Sequence, residues 1–177
     1  MQAIAQVLVA EGVRLLGGDR FAEAIAVLQQ ACATVRRSGV INAWDAPAFP
    51  WLATALRRQL ESLPPSATTE RRALLRDAER AARRALRIAR KFRNDRPHAL
   101  REAGLLAAQR GHARQARQML DDSLQEAERQ GARYEQALTL QARGEVGQRF
   151  GWPEALAQLD AAREALRAWQ SPGAPQV

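Results

Sequence analysis

The sequence predicts an all-α protein of about eight helices. Hydrophobic residues make up 46% of its 177 residues and charged residues 26%, which is typical of a folded globular chain and excludes a disordered one. Alanine, leucine, arginine and glutamate are abundant and favour helices, whereas aromatic residues, which favour strands, make up only 5%. Apolar residues recur at spacings of three and four in eight segments, and turn signals separate these segments.

Most of the predicted helices end where glycine, proline or asparagine follows, because these residues terminate helices. The first four helices are predicted at about residues 2–17, 21–38, 47–62 and 68–93. The last four are predicted at about residues 97–110, 113–130, 132–149 and 153–169. Pro97 and Pro153 begin the fifth and the eighth helix, since proline is favoured in the first helical turn. We therefore expect one domain over residues 1–170, followed by a flexible tail at 171–177.

Small residues recur in the same order in three of the helix pairs. The order is Gly12, Gly18, Ala24 and Leu28 in the first pair, Gly104, Gly111, Ala116 and Leu120 in the third, and Gly144, Gly151, Ala155 and Leu159 in the fourth. The third and fourth sets lie about 40 residues apart, a period typical of helical solenoids. We therefore expect an α-solenoid of four antiparallel hairpins. Their predicted ranges are about 2–38, 47–93, 97–130 and 132–169.

The order of small residues in the third pair resembles the tetratricopeptide repeat. Gly104 stands at the small position of the first helix, Gly111 at the turn, and Ala116 at the small position of the second helix. The segment 19–24 is similar to the turn that precedes the second-helix alanine in that family. The chain departs from the family in its repeat, which is longer than about 34 residues, and in lacking large aromatics in that first helix. The resemblance implies a tetratricopeptide-like solenoid that binds protein partners.

A second resemblance covers residues 70–169, with its clearest segments at 97–107, 128–135 and 150–153. These segments resemble the carboxy-terminal helical region of large bacterial signalling proteins, in which a signal-transduction ATPase module is joined to a kinase, cyclase or transcription-factor domain. The resemblance implies that the chain is a segment, or a stand-alone relative, of such a protein. The sequence lacks the Gly-x-x-x-x-Gly-Lys-Ser/Thr motif that cradles phosphates, so we do not expect the ATPase itself here.

The tetratricopeptide resemblance also implies a partner-binding groove, because the first helix of each hairpin lines the groove in that family. In the third hairpin the matching positions are His98, Arg101, Glu102, Leu105 and Gln109. In the fourth they are Gln141, Glu145, Gln148 and Arg149, and in the first they are Val9, Val13 and Leu16. Each position has an ordinary alternative as a solvated or packing residue.

Six arginines follow one face of the fourth predicted helix, within an arc of about 80°. They are Arg72, Arg76, Arg80, Arg83, Arg87 and Arg90. Because guanidinium groups bind carboxylates and phosphates at two points, this face is a candidate docking surface for an acidic partner or for phosphates. The alternative is a solvated face, or one paired with Glu102, Asp121 or Asp122. Nucleic acid is the less favoured partner, because stacking needs aromatics and this helix offers only Phe92, on its apolar side.

The first helix is apolar around most of its circumference, and such helices are buried on more than one side. Ile4, Val7, Val9 and Val13 span more than one of its faces. We therefore expect Val9 and Val13 to contact a neighbouring domain of a larger parent chain, or a second copy in a homodimer.

The sequence offers no arrangement for catalysis, for a metal or for a cofactor. Its two histidines, His98 and His112, follow a proline and a turn glycine, and we expect both to be exposed turn residues. Cys32, the only cysteine, lies on the apolar stripe of the second helix and is expected to be a buried small hydrophobic residue. We therefore expect a protein that is not an enzyme.

The segment 44–52 holds two of the four tryptophans, Trp44 and Trp51, among its prolines. A polyproline-type ligand is one interpretation of this segment. Packing of its aromatic side chains onto the helices is the interpretation that we favour.

The formal net charge of +8 is typical of proteins that bind nucleic acid, acidic membrane surfaces or acidic proteins, and it can equally reflect a GC-rich genome that encodes arginine in place of lysine. The sequence has no apolar run of about 18 residues and no basic signal-peptide start, so we expect a cytoplasmic protein without membrane contact. The favoured function is a non-catalytic protein-interaction domain, a scaffold or a regulatory segment of a bacterial signalling protein. Two alternatives stay open: a basic helical repeat that binds nucleic acid, and a helical domain that senses a small ligand.

Overall fold

The computed structural model describes residues 2–170, with side chains described for residues 3–168, and over this range it is all-helical without a strand. Eight α-helices follow one another along the chain. They are α1 (Gln2–Gly17), α2 (Phe21–Arg37), α3 (Ala48–Ser62), α4 (Thr68–Ala89), α5 (Arg96–Gln109), α6 (Ala113–Gln130), α7 (Arg133–Phe150) and α8 (Ala155–Gln170). The all-α prediction is thereby confirmed for the described residues. The predicted tail, 171–177, lies outside them.

The predicted helix bounds hold to within a few residues, with two differences. The fourth helix ends at Ala89 rather than at residue 93, and a short 3₁₀ helix at Arg93–Asp95 fills the remaining segment. Pro97 lies in the first turn of α5 as predicted, but Pro153 lies in the turn that precedes α8. Glycine ends α6 in the expected way: Gly131 adopts the left-handed conformation at φ 64°, which lets its N–H reach back to the last turn of the helix.

The helices form two compact units, the first ending at Glu102 and the second beginning at Ala103, so that α5 contributes to both. In the first unit α1 packs on α2, α2 on α3, and α3 on α4. One hydrophobic cluster of this unit joins Cys32 and Val35 to Phe49, and a second joins Leu15 to Leu28.

In the second unit α6 packs on α7, and α7 packs on α8. Its hydrophobic cluster joins Leu120 of α6 to Val146 of α7, and the partly buried side chains of Phe150 and Trp152 pack against this cluster. Arg143 of α7 lies close to the carboxylates of Asp121 and Glu154.

The same contact between a glycine and a leucine recurs in three helix pairs. Gly12 faces Leu28 of α2, Gly104 faces Leu120 of α6, and Gly144 faces Leu159 of α8. A Cβ atom added to these glycines would lie 2.5, 2.8 and 2.4 Å, respectively, from the leucine Cγ atom, so the leucine or its helix would have to shift. The predicted close approach of helices at small residues is therefore confirmed at these three pairs.

The aromatic segment 44–52, which runs into the beginning of α3, packs only in part, contrary to the prediction. Phe49 is buried and Trp51 is half-buried, but 76% of Trp44 is exposed. The side chain of Asn42 holds this turn, since its Oδ1 atom accepts hydrogen bonds from the backbone N–H groups of Trp44 and Asp45 at 2.9 and 3.0 Å. This turn places the indole of Trp44 in solvent. None of the helices described here is both long and apolar enough to cross a membrane.

Candidate functional site

All six arginines of the predicted α4 face are exposed. The opposite side of α4 buries Ala78, Ala82, Ala85 and Ala89 against the rest of the first unit. Short alanine side chains let α4 lie close to its neighbours, and the helical period then directs the arginines outward. The structure therefore places Arg72, Arg76, Arg80, Arg83, Arg87 and Arg90 together on one accessible face.

Few carboxylates compensate this face. Within the described residues, ion pairs join two of the six arginines to acids of their own helix: Arg80 to Asp77 at 3.2 Å and Arg83 to Glu79 at 4.0 Å. Such exposed pairs contribute little free energy. The acids considered as alternative partners bind other residues. Glu102 binds Arg57, Asp121 lies against Arg143, and Asp122 accepts a hydrogen bond from Gln118.

A groove of about 730 Å³ runs beside this face, between α2, α3 and α4. Its floor is largely apolar. Floor residues are Cys32 and Ala33 of α2, Leu52 and Leu56 of α3, and Ala81 of α4. Its walls are polar and strongly cationic, because the described lining residues include five arginines and only one aspartate. Wall residues are Gln29, Gln30, Arg36, Asp77, Arg80, Arg83, Arg84 and Arg87.

Two of these wall arginines were missed by the sequence analysis. Arg84 lies between the exposed row and the apolar side of α4, and its guanidinium lies 5.2 Å from the centre of the Phe49 ring. This cation–π contact fixes a side chain that is otherwise flexible. Arg36 is in the last turn of α2, where its charge also favours the helix terminus. Only the packing of both α2 and α4 on α3 brings Arg36 to the groove.

The Cys32 thiol at the groove floor is in an environment that makes it unreactive. It is buried, and its Sγ atom lies 3.5 Å from the Ala48 carbonyl oxygen. Burial raises the pKa of the Cys32 thiol to about 11, although the nearby charges of Arg36 and Arg84 oppose that change. A protonated thiol is a poor nucleophile, so Cys32 is the buried hydrophobic residue that the sequence predicts.

The prediction of two exposed histidines is correct for His112 and wrong for His98. Only 7% of His98 is exposed, because its ring packs edge-on against Trp51 with 4.7 Å between ring centres. Its Nε2 atom lies 2.8 Å from the Thr54 hydroxyl oxygen. The residues Trp51 and Thr54 of α3 therefore bury the histidine at the start of α5.

A buried ion pair follows one turn later on α5. Arg57 of α3 binds Glu102 at two points, with Nε to Oε2 at 2.7 Å and Nη2 to Oε1 at 3.1 Å. Arg57 also binds Glu61 at 2.8 Å. Burial alone would raise the pKa of Glu102, but the charge and hydrogen bonds of Arg57 outweigh it and hold that pKa below its usual range.

The cluster of Thr54, His98 and Glu102 resembles a hydroxyl–imidazole–carboxylate triad in composition but not in geometry. In a working triad the hydroxyl and the carboxylate bind opposite ring nitrogens. Here the Glu102 carboxylate lies 4.0 Å from the same Nε2 atom that contacts Thr54, and both of its oxygens bind Arg57. This cluster ties α5 to α3 rather than activating a nucleophile.

The partner-binding positions that the tetratricopeptide resemblance implies lie outside the groove described above, and they differ in exposure. In α5, His98, Arg101 and Glu102 are buried, and Leu105 and Gln109 are half-buried. Burial removes the first three from the surface on which a partner could lie.

The α7 positions are more accessible. Gln148 and Arg149 are exposed, and Gln141 donates a hydrogen bond to Glu145 at 2.9 Å. Gln141 and Glu145 also line a cavity of about 290 Å³ next to α8. The fourth-hairpin positions therefore keep an accessible surface.

The partner-binding positions implied in α1 are less exposed than other apolar residues of the same helix. Val9 packs against both hydrophobic clusters of the first unit, Val13 is half-buried, and Leu16 is buried. The exposed apolar side chains are Ile4, at 55%, and Val7, at 67%. The sequence showed that α1 is apolar all round, but only the packing decides which of its valines faces solvent.

Among the described residues, no group of three or more histidine, cysteine, aspartate or glutamate side chains is placed to hold a metal ion. No known protein-family model matches the chain. No curated protein is significantly similar to it in sequence.

Proposed function

We propose that the chain is a tetratricopeptide-like α-solenoid of four antiparallel hairpins, and that it binds a protein partner without catalysing a reaction. The recurring glycine–leucine contact supports the repeat, because Gly12, Gly104 and Gly144 take the same part in three helix pairs. Helical repeats of this kind expose long side-chain surfaces suited to binding.

The observation that carries the binding function is the groove of the first unit. Its described lining residues combine five arginines with an apolar floor and one aspartate. Arginine is enriched in protein interfaces because its planar guanidinium group both packs and forms two-point hydrogen bonds. A cationic groove in a chain of net charge +8 complements an acidic protein surface.

A regulatory role in a bacterial signalling protein is supported by the resemblance of residues 70–169 to the helical regions of such proteins. The partner would then be a separate protein or a neighbouring domain of the same parent chain. Either kind of partner would bind the same exposed arginines. The resemblance concerns how domains are joined in such proteins, and it does not choose between the two partners.

Nucleic acid binding is the second candidate, and the exposed arginine face of α4 is the observation that favours it. The groove lining, as far as it is described, contains no aromatic side chain on which a base could stack. We therefore expect only weak, sequence-independent binding to nucleic acid. Its affinity should fall with a log–log salt slope of about −0.7 to −0.9 for each phosphate contacted.

Selection from a random peptide library displayed on phage tests the protein-binding function. The immobilised chain is washed at about 150 mM salt, where long-range surface attraction is largely screened. We expect enriched peptides to be acidic and to bind the chain in solution by fluorescence anisotropy. Failure to enrich any peptide above the blank support would contradict the proposal. Tight, sequence-selective binding of an oligonucleotide at the same salt would establish the second candidate instead.

A further inference from the structure

We infer that the groove between α2, α3 and α4 binds an amphipathic acidic helix of the partner. This inference rests on the proposed protein-binding function and deepens it by naming the surface and the chemistry of its occupant. The groove belongs to the first unit alone and includes none of the positions that the tetratricopeptide resemblance assigns to partner binding.

The apolar floor and the cationic walls of the groove together complement an amphipathic occupant. Leu52 and Leu56 are one helical turn apart on α3 and form an apolar strip with Cys32 of α2. Arg36 borders this strip on the α2 side, and the α4 arginines border it on the other. An occupant that covers the floor therefore needs an apolar stripe flanked on both sides by carboxylates.

The backbone of the groove favours a helical occupant over an extended one. An extended peptide is held by main-chain hydrogen bonds to an open strand edge or, as a polyproline segment, by an aromatic-lined groove, and the described lining of this groove contains no aromatic residue. The groove walls are helices, whose N–H and C=O groups already bind one another. The arginines from Arg80 to Arg87 span about two helical turns, roughly 10 Å, which matches carboxylates spaced over two turns of a bound helix whose apolar stripe lies over Leu52 and Leu56.

A second copy of the chain is a poorer occupant than an acidic partner. Two copies that each carry a net charge of +8 repel one another. Binding in the groove would also place its five arginines against the positively charged second copy. The partner that complements the groove is therefore an acidic helix of another protein or domain.

The six arginines of the exposed face divide into two sets that provide a matched control. Arg80, Arg83 and Arg87 line the groove. Arg72, Arg76 and Arg90 lie on the same exposed face but do not line it. Reversal of three charges in either set changes the net charge of the chain by the same amount. Only the first set changes the groove.

The test uses a fluorescein-labelled synthetic helix of about 18 residues, with leucines at i, i+3 and i+7 and glutamates beside them. Two comparison peptides are a scrambled one, whose leucines share no face, and one with glutamine in place of glutamate. We expect the unmodified chain to bind the first peptide at about 150 mM salt and to bind both comparison peptides at least about tenfold more weakly.

The variant R80E/R83E/R87E should lose at least about tenfold in affinity for the first peptide, whereas R72E/R76E/R90E should lose less than about threefold. Circular dichroism checks that both stay helical. If the groove variant unfolds, R80Q/R83Q/R87Q replaces it, with R72Q/R76Q/R90Q as its control. Equal losses in both sets, or equal binding of the scrambled peptide, would overturn the inference.

The failure of this inference is distinguishable from the failure of the proposed function. If library-selected peptides bind the chain and the R80E/R83E/R87E variant equally well, protein binding stands and the groove is the wrong surface. If ultracentrifugation shows a dimer that only the groove variant loses, a second copy occupies the groove, and the acidic-helix inference is wrong.

Discussion

Arg57 and Glu102 form a buried two-point ion pair between α3 and α5, with the shorter N–O distance at 2.7 Å. The side chain of Glu102 is 2% exposed and that of Arg57 is 11% exposed. Because both side chains are largely removed from water, Glu102 depends on Arg57 for hydrogen bonds that it loses to burial, whereas Arg57 also binds Glu61. This pair belongs to the first unit and fixes the beginning of α5 to α3.

Replacement of Arg57 by alanine should destabilise the chain strongly. The Glu102 carboxylate would then be buried without its counter-charge, and breaking such a pair costs about 3–5 kcal/mol in the free energy of unfolding. Urea denaturation at neutral pH measures this loss. The double variant Arg57→Met/Glu102→Leu is the control, and it should lose less than the single variant because it does not leave the Glu102 carboxylate buried without the guanidinium that binds it. A single variant that loses under about 1 kcal/mol would contradict the buried pair.

The same pair predicts a pH dependence of stability. The folded pKa of Glu102 lies below its unfolded value, which is about 4.3, so the unfolded state binds the proton more readily. The stabilisation is therefore fully present above that value and is lost as the pH falls through the lower folded pKa. Between pH 6 and pH 3 the unmodified chain should lose stability more steeply than Glu102→Gln. Parallel profiles of the two proteins would contradict the assignment.

The fold could be predicted from the sequence to a large extent, because helix formation depends on local patterns. Apolar residues at spacings of three and four, and turn glycines such as Gly131, act over a few residues of sequence. They therefore locate the helix ends to within a few residues. The interior contacts depend on packing between segments that are distant in sequence. The burial of His98 is one example, since Trp51 and Thr54, which contact it, lie over 40 residues earlier.

The candidate site was only partly predictable for the same reason. The exposed face of α4 follows from its helical period, and the prediction that its arginines share one face is correct. The groove beside it also needs Arg36 of α2 and Leu56 of α3, which no spacing along α4 could indicate. Asp45 is a further example of this limit: it is 2% exposed, although it lies between the second and third predicted helices, where a surface loop is expected.

Replacement of Gly144 by alanine should destabilise the second unit. The new Cβ atom would lie 2.4 Å from Leu159 Cγ and 2.9 Å from the Ala155 carbonyl oxygen, so α7 and α8 must move apart. Overpacking of this kind costs about 1–3 kcal/mol. Gly17→Ala is the matched control, because nothing lies within 4 Å of the added atom, and it should be neutral or slightly stabilising. Thermal unfolding followed by circular dichroism compares the two variants.

The valines of α1 should differ sharply in their tolerance of charge. Val9 packs against both hydrophobic clusters of the first unit, so Val9→Glu should cost more than about 2 kcal/mol. Val7 is 67% exposed, and Val7→Glu should change stability by less than about 0.5 kcal/mol. Self-association through α1 stays a prediction, and Ile4→Glu/Val7→Glu tests it by light scattering without disturbing the core. An unmodified chain that is monomeric at high concentration would contradict self-association.

The Cys32 thiol should resist alkylation while the chain is folded. With a folded pKa of about 11, only about 0.1% of the thiol is ionised at pH 8, whereas an unfolded cysteine with a pKa of about 8.5 is about one-quarter ionised. Burial under the groove also hinders a reagent from reaching Sγ. We therefore expect iodoacetamide at pH 8 to modify the folded chain at least about 100-fold more slowly than the chain in denaturing urea, measured by mass spectrometry. Addition of the acidic peptide that fills the groove should slow the reaction further. Equal rates in the folded and the unfolded chain would show that the thiol is open to solvent and would contradict its place in the core.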